Sequence, residues 1–265
     1  MFSRVIRRAA LHRKMLLLCL SLVGLSFPGY MIQAASSPWT SFATGAQYTW
    51  QPYYTQDRVF LGNIFVVRIA PDGALFRVDY RPGVRQTVQA WASEMPSAIL
   101  VINASYFDGA GRPVGLVKLG NDLLSTPTQN AESGMFYTRA DIPQILPHVN
   151  MDLLQPSDTY SEGFEGYPVL ISGQKVASFK DTPTERARRS VIAQDTQGNI
   201  LVLYTSSVEL SLTEMANWIQ TSGLHIVTAI NLDGGSSSQI HVAGTAPSLV
   251  QGDAPVPVVF TVYSK

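Results

Sequence analysis

The chain has 265 residues, 14% of them charged, with 19 basic and 19 acidic side chains and a single cysteine. Residues 1–35 hold five of the basic groups and none of the acidic ones, so the remainder is acidic by about five charges, which argues against nucleic acid or an anionic membrane as a partner. Cys19 lies in that same stretch, so the remaining roughly 230 residues form no disulfide and must bury a core as one domain.

Arg4, Arg7, Arg8, Arg13 and Lys14 precede an apolar run from Met15 to Phe27, and Ile32-Gln33-Ala34-Ala35 ends in small residues. This is the pattern of a secretory signal peptide, and its apolar core is short for a membrane span of roughly 20 residues. It predicts a protein exported to the periplasm or secreted, cleaved near Ala34 or Ala35, with no stable membrane insertion afterwards. An uncleaved N-terminal anchor is the alternative. Residues 36–59, rich in Ser, Thr, Gln and aromatics, read as a lead-in to a domain over 60–265.

Within that domain, β-branched and apolar runs predict strands at 64–70, 75–80, 99–103, 115–119, 134–138, 168–172, 190–194, 200–204 and 224–230. Turn formers punctuate them, among them Pro71-Asp72-Gly73, Asp108-Gly109 and Gln197-Gly198-Asn199. Two helices stand out. One spans about 84–95, with Val88, Trp91, Ala92 and Met95 on one face. The other begins at the capping box Ser211-Leu212-Thr213-Glu214, continues through Met215, Ala216 and Ile219, and ends at Gly223. The expected class is α+β (mixed α/β), a single domain on a largely β-sheet core with a few flanking helices.

Each helix precedes a strand that ends in asparagine and then an acidic, turn-prone segment. The two segments are Asn103-Ala104-Ser105-Tyr106-Phe107-Asp108-Gly109 and Asn231-Leu232-Asp233-Gly234-Gly235-Ser236-Ser237-Ser238. The shared grammar predicts two strand ends side by side, facing one cleft. In the second segment an apolar strand runs into a carboxylate, two glycines that permit a sharp turn and close approach, and three hydroxyls. A bare Asp-Gly is often only a hairpin turn, but the serines stand where apolar alternation would resume.

The chain lacks a Gly-Lys-Ser/Thr phosphate loop, His-Glu-x-x-His and Gly-x-Ser-x-Gly, and beyond residue 35 it has only His148, His225 and His241. Zinc held by histidine and a serine triad are therefore disfavoured, and His225 and His241 read as structural residues in strand-like runs. Carboxylates, amides, hydroxyls and arginine remain, which suit sugar and phosphate chemistry. Glycoside cleavage uses carboxyl groups as acid, base or nucleophile. Asp233 is the leading catalytic candidate, Asp108 and Glu132 are candidates for a second carboxylate, and Glu162 and Glu165 are weaker ones. Asp108 could instead simply close a turn, and Glu214 is explained by its cap. Arg186, Arg188 and Arg189 precede a strand, where a guanidinium could grip phosphate through paired hydrogen bonds, or the cluster could be a solvated loop.

Five blocks in order, Asn103 to Asp108, Tyr167 to Gly173, Arg189 to Asp195, Leu212 to Ala216 and Ile230 to Ser237, resemble the phosphodiester glycosidase family over roughly residues 60–264. Asn231-Leu232-Asp233-Gly234-Gly235 is the most specific piece. The resemblance implies a domain built around β-sheet and cleavage between an anomeric carbon and a phosphate oxygen. It raises Arg189 above its neighbours as the phosphodiester anchor, has Asp233 act on the glycosidic centre, and has Asn103 and Asn231 fix the sugar or orient the carboxylate. Tyr106, Gly234, Gly235 and Ser237 complete the substrate-binding set. No cofactor is implied; a divalent cation beside Asp233 and a phosphate is compatible, with no ligand set legible. Ala104, Ser105 and Ser236 replace glycines of the family pattern and add side chains at the expected pocket. The expected substrate is a sugar phosphodiester or cell-envelope glycan. The alternatives are a glycan-binding relative without turnover, or a phosphodiesterase that breaks the phosphorus–oxygen bond, against which the lack of clustered metal ligands in the sequence counts.

Overall fold

The computed structural model describes residues 38–120, 122–149, 160–244 and 253–265. The signal-peptide reading of residues 1–35 lies outside the described residues. In chain order the strands are β1 (Thr40–Ala43), β2 (Ala46–Tyr54), β3 (Phe60–Ile69), β4 (Ala74–Tyr80), β5 (Ala98–Asn103), β6 (Val117–Leu119), β7 (Asp122–Ser125), β8 (Gly134–Arg139), β9 (Ile142–Leu146), β10 (Tyr160–Gly166), β11 (Val169–Ser172), β12 (Lys175–Val176), β13 (Ser190–Asp195), β14 (Ile200–Thr205), β15 (Ile226–Asn231), β16 (Ile240–Val242) and β17 (Val258–Ser264). Helix α1 (Val88–Glu94) precedes β5 and α2 (Leu212–Thr221) precedes β15. No helix among the described residues is long and apolar enough to cross a membrane.

The strands form three antiparallel sheets, in the orders β1-β2-β3-β14-β13-β15-β11-β12, β7-β6-β10-β8-β9 and β16-β5-β17-β4. One buried cluster joins all three, because Phe65 and Val202 of the first sheet, Phe136 and Phe164 of the second, and Phe76 and Phe260 of the third belong to it. Phe136 stacks on its cross-strand neighbour Phe164 at 5.3 Å between ring centroids and meets Phe260 of the four-stranded sheet at 4.8 Å, so the aromatic cluster reaches from one sheet into the next. The opposite face of the eight-stranded sheet packs on α2 through Met215, Ala216 and Ile219. β13, β14 and β15 are therefore apolar on both faces, as their unbroken apolar runs require.

The balance of α and β differs from expectation. Sheets dominate, and only the two α-helices named flank them among the described residues. Within the segment read as a lead-in, residues 40–43 and 46–54 form β1 and β2 of the eight-stranded sheet, and β2 pairs with β3 from Ala46 opposite Ile69 to Tyr54 opposite Phe60. Tyr48 and Trp50 pack on Phe65, while Thr49, Gln51 and Tyr53 are buried on the other side of the strand. Polar and aromatic residues on both faces hid the alternation. Helix α1 starts later than 84 because Gln86 is held extended by an exchange of main-chain hydrogen bonds with Val256, and Thr87 then caps the helix. The capping box of α2 forms as read, with Ser211 and Glu214 bonding reciprocally.

Two glycines let the five-stranded sheet lie against the end of β15. A Cβ on Gly134 would come within 2.7 Å of Ile230 Cδ1, and one on Gly166 would come within 2.7 Å of Ile230 Cγ2 and 2.8 Å of the Asn231 carbonyl oxygen. Gly166→Ala should cost about 1–3 kcal/mol through overpacking, whereas Gly109→Ala, with nothing within 4 Å of the new methyl, should be neutral; urea unfolding of the two variants measures the difference.

Candidate active site

The site forms where β5 and β15, from different sheets, end in asparagine. Both residues are fully buried. The Asn103 side chain donates from Nδ2 to the Asp233 carbonyl oxygen at 2.7 Å, while its Oδ1 accepts from the Ser190 hydroxyl at 2.8 Å and the Gln239 amide at 3.1 Å. The Asp233 amide donates to Ala104 O at 3.2 Å, so the two strand ends lie side by side as their shared grammar suggested. Asn231 donates from Nδ2 to the Tyr106 hydroxyl at 2.8 Å and to the carbonyls of Tyr167 and Leu232 at 3.0 and 2.7 Å. Its Oδ1 is buried with no hydrogen-bond partner among the described residues. The Tyr106 hydroxyl in turn donates toward Tyr167 O at 2.8 Å, with Leu232 O at 3.1 Å.

These bonds present Asp233 at the head of a short 3₁₀ turn, Gly235–Ser237. Its carboxyl accepts from the Gly234 amide at 2.9 Å and from the Ser237 side chain. Burial nevertheless dominates, and pushes the Asp233 carboxyl above the ordinary aspartate range against those two bonds. Burial likewise holds the Tyr106 phenol well above its usual range, reinforced by the charge of Asp233, so Tyr106 stays a neutral donor.

Arg189 stands at the start of β13 with its guanidinium fastened by main-chain carbonyls. Nε donates to Leu210 O at 2.8 Å and Nη2 to Glu185 O at 3.0 Å. Nη1 lies 3.6 Å from where a Cβ on Gly234 would sit and has no hydrogen-bond partner among the described residues. Arg189 also has no ion pair among the described residues, although burial lowers its pKa and so disfavours its charge. An arginine held in this way, beside the Asp233 turn, keeps one edge that can donate to an anion. Arg188 secures the turn differently: its Nε donates to Gly235 O at 3.2 Å, and its carbonyl accepts from the Gly235 amide and the Ser238 hydroxyl. Gly235 adopts φ +64°, the left-handed region glycine favours, while Gly234 is extended and lies 3.3 Å, from its Cβ position, to Arg188 O.

The structure thus brings Asn103, Tyr106, Arg189, Asn231, Asp233, Gly234, Gly235 and Ser237 together. It links Glu132 to them through Tyr167, whose hydroxyl donates to Glu132 Oε2 at 3.1 Å and whose carbonyl serves Tyr106 and Asn231. Asp108 is engaged elsewhere: its carboxylate accepts the amides of Ala110 and Arg112 and pairs with the Arg112 guanidinium at 2.8 Å, which together hold its pKa below the usual range. Glu162 and Glu165 each accept main-chain amides, of Val78 and of Leu116 and Thr128, and stitch sheets and loops together. Ala104 is fully buried and the Ser105 hydroxyl donates to Glu165 O at 3.1 Å, so both side chains turn into the interior; Ser236 is exposed. His225 sits in a turn at φ +54° just ahead of β15, and His241 lies in β16 opposite Val101. Tyr167, Ser190 and Gln239 are supporting residues that the motifs did not single out, although Tyr167 and Ser190 each adjoin or open a block that they did. No group of three or more His, Cys, Asp or Glu able to hold a metal occurs among the described residues.

The fold and site define a β-sheet protein with a partly buried carboxyl and an unpaired arginine at neighbouring strand ends. The phosphodiester glycosidase family model matches residues 96–263, more than half of the chain, and the chain belongs to that family. Among solved structures, the catalytic domain of zebrafish N-acetylglucosamine-1-phosphodiester α-N-acetylglucosaminidase, auto-inhibited by its pro-peptide, is similar, with a TM-score of 0.64 at 14% identity over 83% of each chain. A hypothetical protein from Synechocystis is similar with a TM-score of 0.60 at 15% identity, over 88% of this chain and 65% of its own. At such identities these likenesses concern the fold. No curated protein matches the chain.

Because the folded state raises the Asp233 pKa, the ionised carboxylate opposes folding at pH values above that raised pKa, and the penalty vanishes below the unfolded pKa, where both states are protonated. Asp233→Asn should therefore raise the melting temperature at pH 7 and lose that advantage as the solution is acidified; thermal melts across pH check this.

Proposed function

We propose that this protein is an exported hydrolase that cleaves the bond between a sugar's anomeric carbon and a phosphodiester oxygen, acting on a sugar phosphodiester or cell-envelope glycan. Membership of the phosphodiester glycosidase family supports the reaction class. The single observation that carries the reading is Arg189, a partly buried guanidinium with no ion pair among the described residues and a free Nη1 edge beside the Asp233 turn. Export rests on the basic and apolar pattern of residues 1–35.

In this reading Arg189 holds the phosphodiester, and Asp233, as a carboxylate, takes the proton of a water that attacks the anomeric carbon. The bond from that carbon to the phosphate oxygen breaks, its electron pair stays on the oxygen, and the products are free sugar and a phosphate monoester. Ordinary glycosides need an acid to protonate a strongly basic leaving oxygen. A departing phosphate monoester does not, since its second pKa is about 6. One well-placed carboxyl and one arginine therefore suffice for the essential steps, and Glu132 is left to steady Tyr167. The binding-only alternative rests on Ala104, Ser105 and Ser236; the side chains of Ala104 and Ser105 turn into the interior, while Ser236 is exposed.

With an α-N-acetylglucosamine 1-phosphodiester as substrate, Arg189→Ala should raise KM about 10- to 100-fold, the size of a lost charged hydrogen bond. Asp233→Asn should lower kcat about 10²- to 10⁴-fold with KM little changed. Wild-type kcat should fall on the acidic side at a pH above that of an ordinary aspartate, because only the ionised Asp233 accepts the proton. Equal loss in both parameters for both variants would contradict this division of labour.

A further inference from the structure

A second cleft, of about 570 Å³, opens between the β2–β3 hairpin and α2. Tyr54 and Trp218 supply aromatic surface, and Gln56, Asp57, Asn217 and Arg186 supply polar groups. The aromatic side is set in place. Tyr54, 44% exposed, lies edge-on to Phe60 at 5.7 Å, and Trp218 has its indole N–H satisfied by Pro52 O at 3.2 Å, which leaves its ring for apolar contact. The polar side is divided. Arg186 is paired with Glu214, which also receives the Ser211 amide, whereas Gln56, Asp57 and Asn217 are exposed, with side chains open to a ligand.

Exposed ring surface beside solvent-exposed amide and carboxylate groups matches a sugar ring, which has an apolar C–H face and a rim of hydroxyls. A phosphate would not need the rings, and a lipid chain would not need the amides. The cleft lies near Arg189: Glu214, which lines it, favours the Arg189 charge, and Arg189 Nη2 donates to the carbonyl of Glu185, the residue next to Arg186. On the phosphodiester reading, the cleft is the place near Arg189 for the group on the far side of the phosphate from the cleaved sugar.

We propose that this cleft is a glycan subsite that takes a sugar ring on the leaving side of the substrate, beyond the phosphate. The assignment rests on the phosphodiester reading for its place in the reaction but not for its binding chemistry, and the two can be tested apart. Isothermal titration of the protein with phosphate-free maltotriose, mannotriose and chitotriose should give saturable binding of at least one of them. Tyr54→Ala should weaken it about five- to tenfold, the effect of losing one aromatic face, while Tyr54→Phe should retain it. Asn217→Ala should weaken it as well, and serves if Tyr54→Ala does not fold. In hydrolysis, Tyr54→Ala should raise KM for an α-N-acetylglucosamine 1-phosphodiester with a hexose beyond the phosphate, and leave a methyl phosphodiester unaffected. Absence of saturable binding by all three oligosaccharides, or binding undiminished in both Tyr54→Ala and Asn217→Ala, overturns the subsite. If neither diester is hydrolysed, the proposed reaction fails, while the titration still decides the cleft.

Discussion

The site depends on the buried amide of Asn103. From the end of β5 its side chain reaches the start of β13 through Ser190, the segment leading into β16 through Gln239, and the main chain of Asp233. An amide offers two donors and two acceptor positions in one plane, and here both ends are used on groups that would otherwise be buried without partners. An apolar residue at this position would leave a hydroxyl, an amide and a carbonyl unsatisfied at once. The catalytic candidate is thus held by its backbone, which leaves its carboxyl to the Gly234 amide, Ser237 and whatever enters the cleft.

That arrangement brings together charges which water would normally solvate. Asp233 is pushed toward its neutral form by burial, and Arg189 is tied to two carbonyls instead of to a carboxylate. Neither is the choice that stability alone would make, and both fit the proposed reaction, in which an anionic substrate would place its reacting carbon between them. The close approach of the five-stranded sheet, permitted by Gly134 and Gly166 against Ile230, brings Tyr167 and Glu132 to the same place.

Much of this was legible from residue order because it rests on local signals. The apolar runs of β13, β14 and β15 are continuous, the α2 capping box is explicit, and the paired Asn-to-acid grammar at 103 and 231 foretold adjoining strand ends. What escaped was encoded in long-range contact. β2 hid behind Thr49 and Gln51, polar residues that are buried, and β10 behind a sequence of two glycines and two glutamates whose carboxylates bond to distant amides. Asp108 and Glu132 looked alike as spare carboxylates, and only the turn to Arg112 and the bond to Tyr167 separate them. The added side chains at 104 and 105 suggested a narrowed pocket, but which way a strand-end residue faces is set by the sheet it joins.

The most direct measurement is hydrolysis of an α-N-acetylglucosamine 1-phosphodiester in water enriched in oxygen-18, with the products weighed by mass spectrometry. Attack at the anomeric carbon predicts free sugar that carries the label and a phosphate monoester that does not, with Asp233→Asn forming both far more slowly. Label in the phosphate, with sugar 1-phosphate released, would mean that the phosphorus–oxygen bond is the one broken and would contradict the account.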